Sequence, residues 1–253
     1  MNGPIVVGVD ASAASRAAAA WAVTEAYDRR ATLRLVSVIE HERQRCQAEY
    51  ALRLARAAVE NEALSVSVEE VITTGPTSVA LLEEASAAAM ICLGTAHRIG
   101  APLGAVTTTL AARAECAVAI IRGDGYGAAR DGGVIAVVLD DESDNDAIVR
   151  QAMKEGRLRN ATVRQIDRRV NSWVRRFPDV PVELVAAGTG RGSLPHLREL
   201  PALAVLRQAE ADQLAGCVTP NCHPIRGYPD CSLLFVRDGH DEYHCQGEAL
   251  ANN

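Results

Sequence analysis

The chain of 253 residues has one lysine, Lys154; the rest of its positive charge is arginine. That scarcity excludes a phosphate loop of the GxxxxGK[ST] kind, whose lysine must reach the β- and γ-phosphates. No apolar run approaches the roughly 18–20 residues that a membrane-spanning helix needs. Neither a GxSxG elbow nor an HExxH pair occurs, so hydrolysis by those routes is not expected. The HIGH and SGGxDS signatures of adenylating enzymes with similar sheets are missing too. Met1-Asn2-Gly3-Pro4 passes straight into Ile5-Val6-Val7 without a basic leader, so a cytoplasmic location is expected. A formal net charge of −6 provides no broad basic field, and neither nucleic acid nor membrane is an expected partner.

Seven cysteines are present: Cys46, Cys92, Cys116, Cys217, Cys222, Cys231 and Cys245. In a leaderless chain the expectation is reduced thiols. Cys92, Cys116 and Cys231 adjoin apolar runs and read as small core hydrophobes. Cys217, Cys222, His223 and Cys231 form C-x4-C-H-x7-C, which lacks the paired CxxC of zinc sites. Together with His240, His244 and Cys245 in the polar tail, they give no expected metal site. Asp140, Asp141, Glu142, Asp144 and Asp146 read as a solvated helix start, favoured by the helix dipole. Val170, Trp173, Val174 and Phe177 read as a helix face packed on the sheet.

What is present is a regular alternation of strand and helix. Ile5–Asp10 is a β-rich run; Ser12 is placed to cap a helix over 15–27. Leu33–Ile39 is a second strand. Ala48, Leu52, Ala55 and Val59 make one apolar stripe on a helix over 42–62. Strands are expected at 66–72, 89–93 and 116–121, and helices at 77–87 and 104–113. Such alternation implies a parallel sheet covered on both faces.

The order then restarts. Val134 to Asp140 repeats the first strand and its terminal aspartate, and Asn160-Ala161-Thr162-Val163-Arg164 repeats Arg30-Ala31-Thr32-Leu33-Arg34, both at an offset of 130. Cys231 to Arg237 repeats Cys116 to Arg122 at an offset of 115. The fall from 130 to 115 means that the second copy is shorter between these anchors, mostly at its second helix. The expected organisation is a first unit over 1–123, a Gly-rich linker over 124–133, a shortened unit over 134–238 and a polar tail over 239–253.

An open parallel sheet binds ligands at the carboxyl ends of its strands, where the strand order reverses. In a 3-2-1-4-5 sheet that point lies between strand one, ending at Asp10, and strand four, ending at Gly94. Gly94 opens a loop containing Thr95, His97 and Arg98 and running through Gly104 into a helix that begins at Ala105, Val106 and Thr107. Bare amides at a helix N-terminus attract anions; Arg98 and the Thr107 hydroxyl can add to this. The bland alternative is a surface connection with turn glycines.

The runs Val7-Gly8-Val9-Asp10-Ala11-Ser12, Trp21 to Ala26, Leu35 to Ile39 and Cys92 to Arg122 resemble the universal stress protein family. The tandem form is similar to actinobacterial members, some of them in hypoxia or dormancy responses. The resemblance implies two flavodoxin-like three-layer α/β/α units with five-stranded parallel sheets, related by a pseudo-twofold axis. It implies that the last strands pair, Ala117–Ile121 with Ser232–Phe235, and it admits a homodimer. It also implies ATP or another adenine nucleotide in the first unit, with Asp10 and Val38 at the nucleoside and Gly94, Gly104 and Thr107 at phosphate. The ATP-binding pattern is G-x2-G-x9-G-(S/T). Here His97 replaces the second glycine, a six-position spacer replaces the nine, and Ala105 replaces the hydroxyl residue. Losing one hydroxyl donor costs on the order of 1 kcal/mol. At the place of Gly94 the second copy reads Leu206-Arg207-Gln208, followed by Glu210 and Asp212, and no nucleotide is expected there. Two functions stay open: a non-enzymatic, nucleotide-linked stress regulator, and a nucleotide-free scaffold with a vestigial pocket that acts on a protein partner. No metal and no catalytic residue is expected in either.

Overall fold

A computed structural model of the protein describes residues 3–96, 103–123, 133–138, 146–167, 177–186, 202–208, 211 and 231–237. Its first half runs β1 (Ile5–Gly8), α1 (Ala13–Arg29), β2 (Leu33–Ile39), α2 (Arg45–Glu60), β3 (Val68–Thr74), α3 (Thr77–Ala85), β4 (Met90–Thr95), α4 (Ala105–Arg113) and β5 (Ala117–Arg122). The second half runs β6 (Val134–Val138), α5 (Asp146–Leu158), β7 (Thr162–Asp167), β8 (Val182–Ala186), β9 (Leu203–Arg207) and β10 (Ser232–Val236). Most of the expected linker (124–132) and the tail over 239–253 lie outside the described residues. So do Asp140 to Asp144, Val170, Trp173, Val174, Glu210, Asp212, Cys217, Cys222 and His223.

The ten described strands join in one sheet of order β3-β2-β1-β4-β5-β10-β9-β6-β7-β8. Each half is internally parallel and follows 3-2-1-4-5, as the two-unit reading expects. The halves meet where β10 runs antiparallel to β5, with Leu233 opposite Ile120, Leu234 opposite Ala119 and Phe235 opposite Val118. The Ser232 hydroxyl accepts the Arg122 amide at 3.2 Å, and the Arg122 Nε donates to the Cys231 carbonyl at 3.3 Å. The crossover from Ile39 to Val68 holds all of α2, whereas the stretch joining Asp167 to Val182 is half as long, so the shortening falls on that crossover.

Strands buried on both faces need no apolar–polar alternation. Accordingly Ile5, Val6 and Val7 are all buried, their side chains divided between two cores. Ile5 and Val7 join α1, α2 and α5 on one face; Val6 joins α3 and α4 on the other. Cys92, Cys116 and Cys231 are buried in these cores, and Phe177 packs against the first.

Helix α1 starts where Ser12 stops an extended backbone and its Oγ accepts the Ser15 amide at 3.1 Å. It ends at Arg30 in the left-handed region, φ 51°, matched at the repeat offset by Asn160 at φ 47° after α5. Most element boundaries differ from the sequence reading by one to three residues, and two of the shifts have a visible cause. The second helix opens with a 3-10 turn over Glu42–Gln44, because Gln44 Oε1 accepts the Glu40 and His41 amides, and α2 begins at Arg45. β3 starts at Val68, since Leu64 and Val66 pack against the core before the ladder begins.

Candidate functional site

Gly8 pairs with Val36 of β2 and with Leu93 of β4. Two positions further along each segment stand Asp10, Val38 and Thr95, level with one another at the carboxyl edge, where the order reverses. Side chains alternate along a strand. Val6, Val36, Val38, Ile91 and Leu93 belong to the α3/α4 core, so continued alternation places positions 10, 38 and 95 on that same face. Leu103 and Val106, at the start of α4, pack against the same core. The register thus brings Asp10, Val38, Thr95 and the α4 N-terminus to one face and one edge. His97 and Arg98 lie outside the described residues.

Asp10 is exposed, and its Oδ1 accepts the Ser12 amide at 2.9 Å. Its backbone carbonyl accepts the Ser15 hydroxyl at 2.6 Å. Partial burial works to raise the carboxyl's pKa, but hydrogen bonds from Ser12 and Ser15 outweigh it and hold it below the ordinary value. The group is an anion held in place by its own helix cap. Ser15 is the residue that sequence reasoning missed. Its signal was the spacing Asp-x-Ser-x-x-Ser, in which two hydroxyls can serve one turn.

The glycines divide into two kinds. A Cβ at Gly94 would lie 2.5 Å from the Ser15 nitrogen and nearer still to the Ala14 carbonyl. A Cβ at Gly123 would likewise strike Ala14 Cα. These glycines form a seat into which the first turn of α1 is pressed, on the face opposite Asp10. Gly123 also donates its amide to the Thr95 carbonyl at 3.2 Å, so it is a packed residue. By contrast, a Cβ at Gly104 meets nothing within 4 Å. Gly104 caps α4 with extended backbone, φ −65° and ψ 158°, and among the described residues no side-chain cap bonds the first amides of that helix. Ala105 is exposed and Val106 half-buried. Thr107 is buried on the α4 face that also carries Leu110 and Ala111. The Thr108 hydroxyl donates to the carbonyls of Ala105, at 3.0 Å, and Gly104, at 3.3 Å.

The two glycines of the expected nucleotide pattern thus differ: Gly104 stands open and Gly94 does not. Among the described residues nothing caps or covers the N-terminus of α4, which lies on the face and edge that hold Asp10; a bare helix N-terminus attracts anions. The bare face of Gly94 is already filled by the backbone of α1. In the second half, Arg207 pairs with Val236 as Gly94 pairs with Ile121, so a buried arginine occupies the glycine position.

A cavity of about 310 Å³, lined by Arg56, Val59, Glu60, Leu64, Val66 and Val68, opens at the start of β3, the opposite edge of the sheet. Arg56 is paired there with Glu60 and Glu70. Among the described residues no group of three or more His, Cys, Asp or Glu is placed to hold a metal, and no helix is long and apolar enough to cross a membrane.

A model described as the universal stress protein family matches residues 1–122. A universal stress protein of Mycobacterium tuberculosis is 37% identical over 260 residues, spanning 92% of this chain and 96% of the relative. A second from the same organism is 32% identical over 267 residues, spanning 92% and 95%. The crystal structure of a universal stress protein from Archaeoglobus fulgidus superposes with a TM-score of 0.65 at 16% identity, covering 95% of this chain and 98% of that one. At that identity the likeness bears on the fold alone.

Proposed function

The chain belongs to the universal stress protein family, and from that membership we propose that it is a cytoplasmic, non-enzymatic stress regulator that binds an adenine nucleotide at the β1/β4 edge of its first half. The observation that carries this reading is the open, uncapped start of α4 at Gly104 on the same face and edge as the fixed carboxylate of Asp10. Asp10 and Val38 take the nucleoside end, with the carboxylate accepting ribose or adenine donors. The amides of Ala105, Val106 and Thr107 take phosphate, helped by the helix dipole and by His97 and Arg98 in the preceding loop. Nothing in this set supplies a positioned nucleophile or base, so ligand binding itself is the signal. The two units divide at about residues 123 and 134, and the first alone carries the site.

Isothermal titration with ATP, ADP and AMP tests this. One site per chain is expected, abolished by Gly104→Glu, which the open space tolerates, and weakened by Asp10→Ala. No heat at millimolar nucleotide refutes it. A second reading, a nucleotide-free scaffold acting on a protein partner, is favoured by one observation: Gly94 owes its missing side chain to the packing of α1. The titration separates the two.

A further inference from the structure

Where a sheet is closed by twofold pairing, a residue near the axis meets its own counterpart. Glu25 and Arg29 of α1 recur at the repeat offset as Glu155 of α5 and Arg159 just beyond its end, and the structure brings all four together under the β5–β10 junction. Arg159 Nη2 lies 3.0 Å from Glu25 and 3.1 Å from Glu155; Arg29 Nε lies 3.3 Å from Glu25. Gln151 Nε2 donates to Glu155 at 2.6 Å. Both carboxyl groups are 0% exposed, Arg159 is 3% exposed, and Arg29 sits nearer the rim at 17%.

Two buried carboxylates therefore face one fully buried guanidinium, whose carbon stands 4.2 Å from the centre of the Trp21 ring. The cluster is not closed. Trp21 Nε1 and Arg159 Nε are buried without hydrogen-bond partners, and Glu155 Oε2 has only the unaligned approach of Arg159. Among the described residues the ionisable groups nearby are the Asp28–Lys154 pair at 2.9 Å on the rim and, from β4, the buried Cys92 thiol, whose pKa burial raises well above its ordinary value. Arg29 balances Glu25 from the rim, which leaves Glu155 with only the Arg159 guanidinium that it shares with Glu25; a buried carboxyl beside a like charge is the condition under which a proton is retained.

We propose that Glu155 retains a proton beside Glu25 at the junction of the two halves, and that its loss above neutral pH loosens that junction, making the chain a proton-responsive as well as a ligand-responsive protein. The surroundings of Glu155 set the direction. Burial first, then the charge of Glu25, push the Glu155 carboxyl from 4.5 up to about 8, against the pull of Arg159 and Gln151. A native value above the unfolded one means that the folded chain holds the proton between those two values. The stabilisation it provides is complete below the lower value and is lost as pH rises through the upper one. The released proton goes to solvent, and the second charge falls on an arginine already shared.

The test is urea unfolding of the full chain between about pH 6 and pH 9, repeated on Glu155→Gln and Glu25→Gln, which copy the neutral shape. The folding equilibrium of the natural sequence should weaken with rising pH by up to tenfold per unit, the slope of one linked proton. Either glutamine variant should flatten that dependence. Infrared spectra of the native protein supply a readout that needs no variant: a protonated-carboxyl carbonyl band at neutral pH that vanishes on alkalinisation. A level stability profile, the same slope kept in both variants, or no such band overturns the proposal. The outcome is independent of nucleotide binding.

Discussion

Gly94 and Gly104 both belong to the nucleotide pattern, yet the structure gives them different reasons for being glycine, and alanine at each separates those reasons. At Gly94 the new methyl would fall on the Ala14–Ser15 peptide of α1. Carbon contacts sit at about 3.5–4.0 Å, so the peptide must retreat by about 1 Å. It is rigid backbone at the start of a helix, and Ala18, Ala19, Ala22, Val23 and Ala26 behind it are fully buried. Lifting α1 by that amount forfeits roughly a quarter to a half of the dispersion well along its contact with the sheet. Overpacking of this kind costs about 1–3 kcal/mol, and the backbone clash puts Gly94→Ala at the upper end. At Gly104 there is space and an ordinary φ, so Gly104→Ala should change stability by less than about 1 kcal/mol. Urea unfolding followed by Trp21 fluorescence in a Trp173→Phe background reads the first half directly. With a slope of about 2–3 kcal/mol per molar, Gly94→Ala should lower the midpoint by about 1 M and Gly104→Ala by less than about 0.5 M. Equal midpoints for the two variants would refute the packing account of Gly94.

Three further outcomes follow. Phe235 is buried and stands opposite Val118 across the junction of the halves; Phe235→Ala should cost about 3–5 kcal/mol, read as a lower urea midpoint. The depressed Asp10 carboxyl favours the native state above its unfolded value, and this contribution is lost as pH falls through the lower, native value. Asp10→Asn should therefore show a shallower acid-unfolding limb, with an unchanged limb as the contrary result. Burial raises the thiol of Cys116 to about 11 and that of Cys92 well above its ordinary value, while Cys46 is exposed. Peptide mapping after alkylation of the native protein at neutral pH should find Cys46 modified and Cys92 and Cys116 intact.

The division between sequence and structure follows the range of the interactions. Apolar runs, the Ser12 cap and the two offsets were enough to indicate parallel strands and the duplication, whereas the 3-2-1-4-5 order, and with it the edge where Asp10 stands, was supposed from the kind of sheet and is fixed by the pairing of the strands. They also placed the short crossover between β7 and β8. Local pattern failed by a turn or less at α2 and β3, where Gln44 and the partly buried Leu64 and Val66 shift the boundaries through contacts a periodicity does not contain. Only the tertiary structure decided what Gly94 is for, because its neighbour is backbone of α1, from which two strands and two helices separate it along the chain. Only it brought Glu25 to Glu155, because that meeting depends on β5 pairing antiparallel with β10 and so setting α1 beside α5. Sequence carries a residue's charge and period; whether two like charges share one burial site depends on the symmetry of the packed whole.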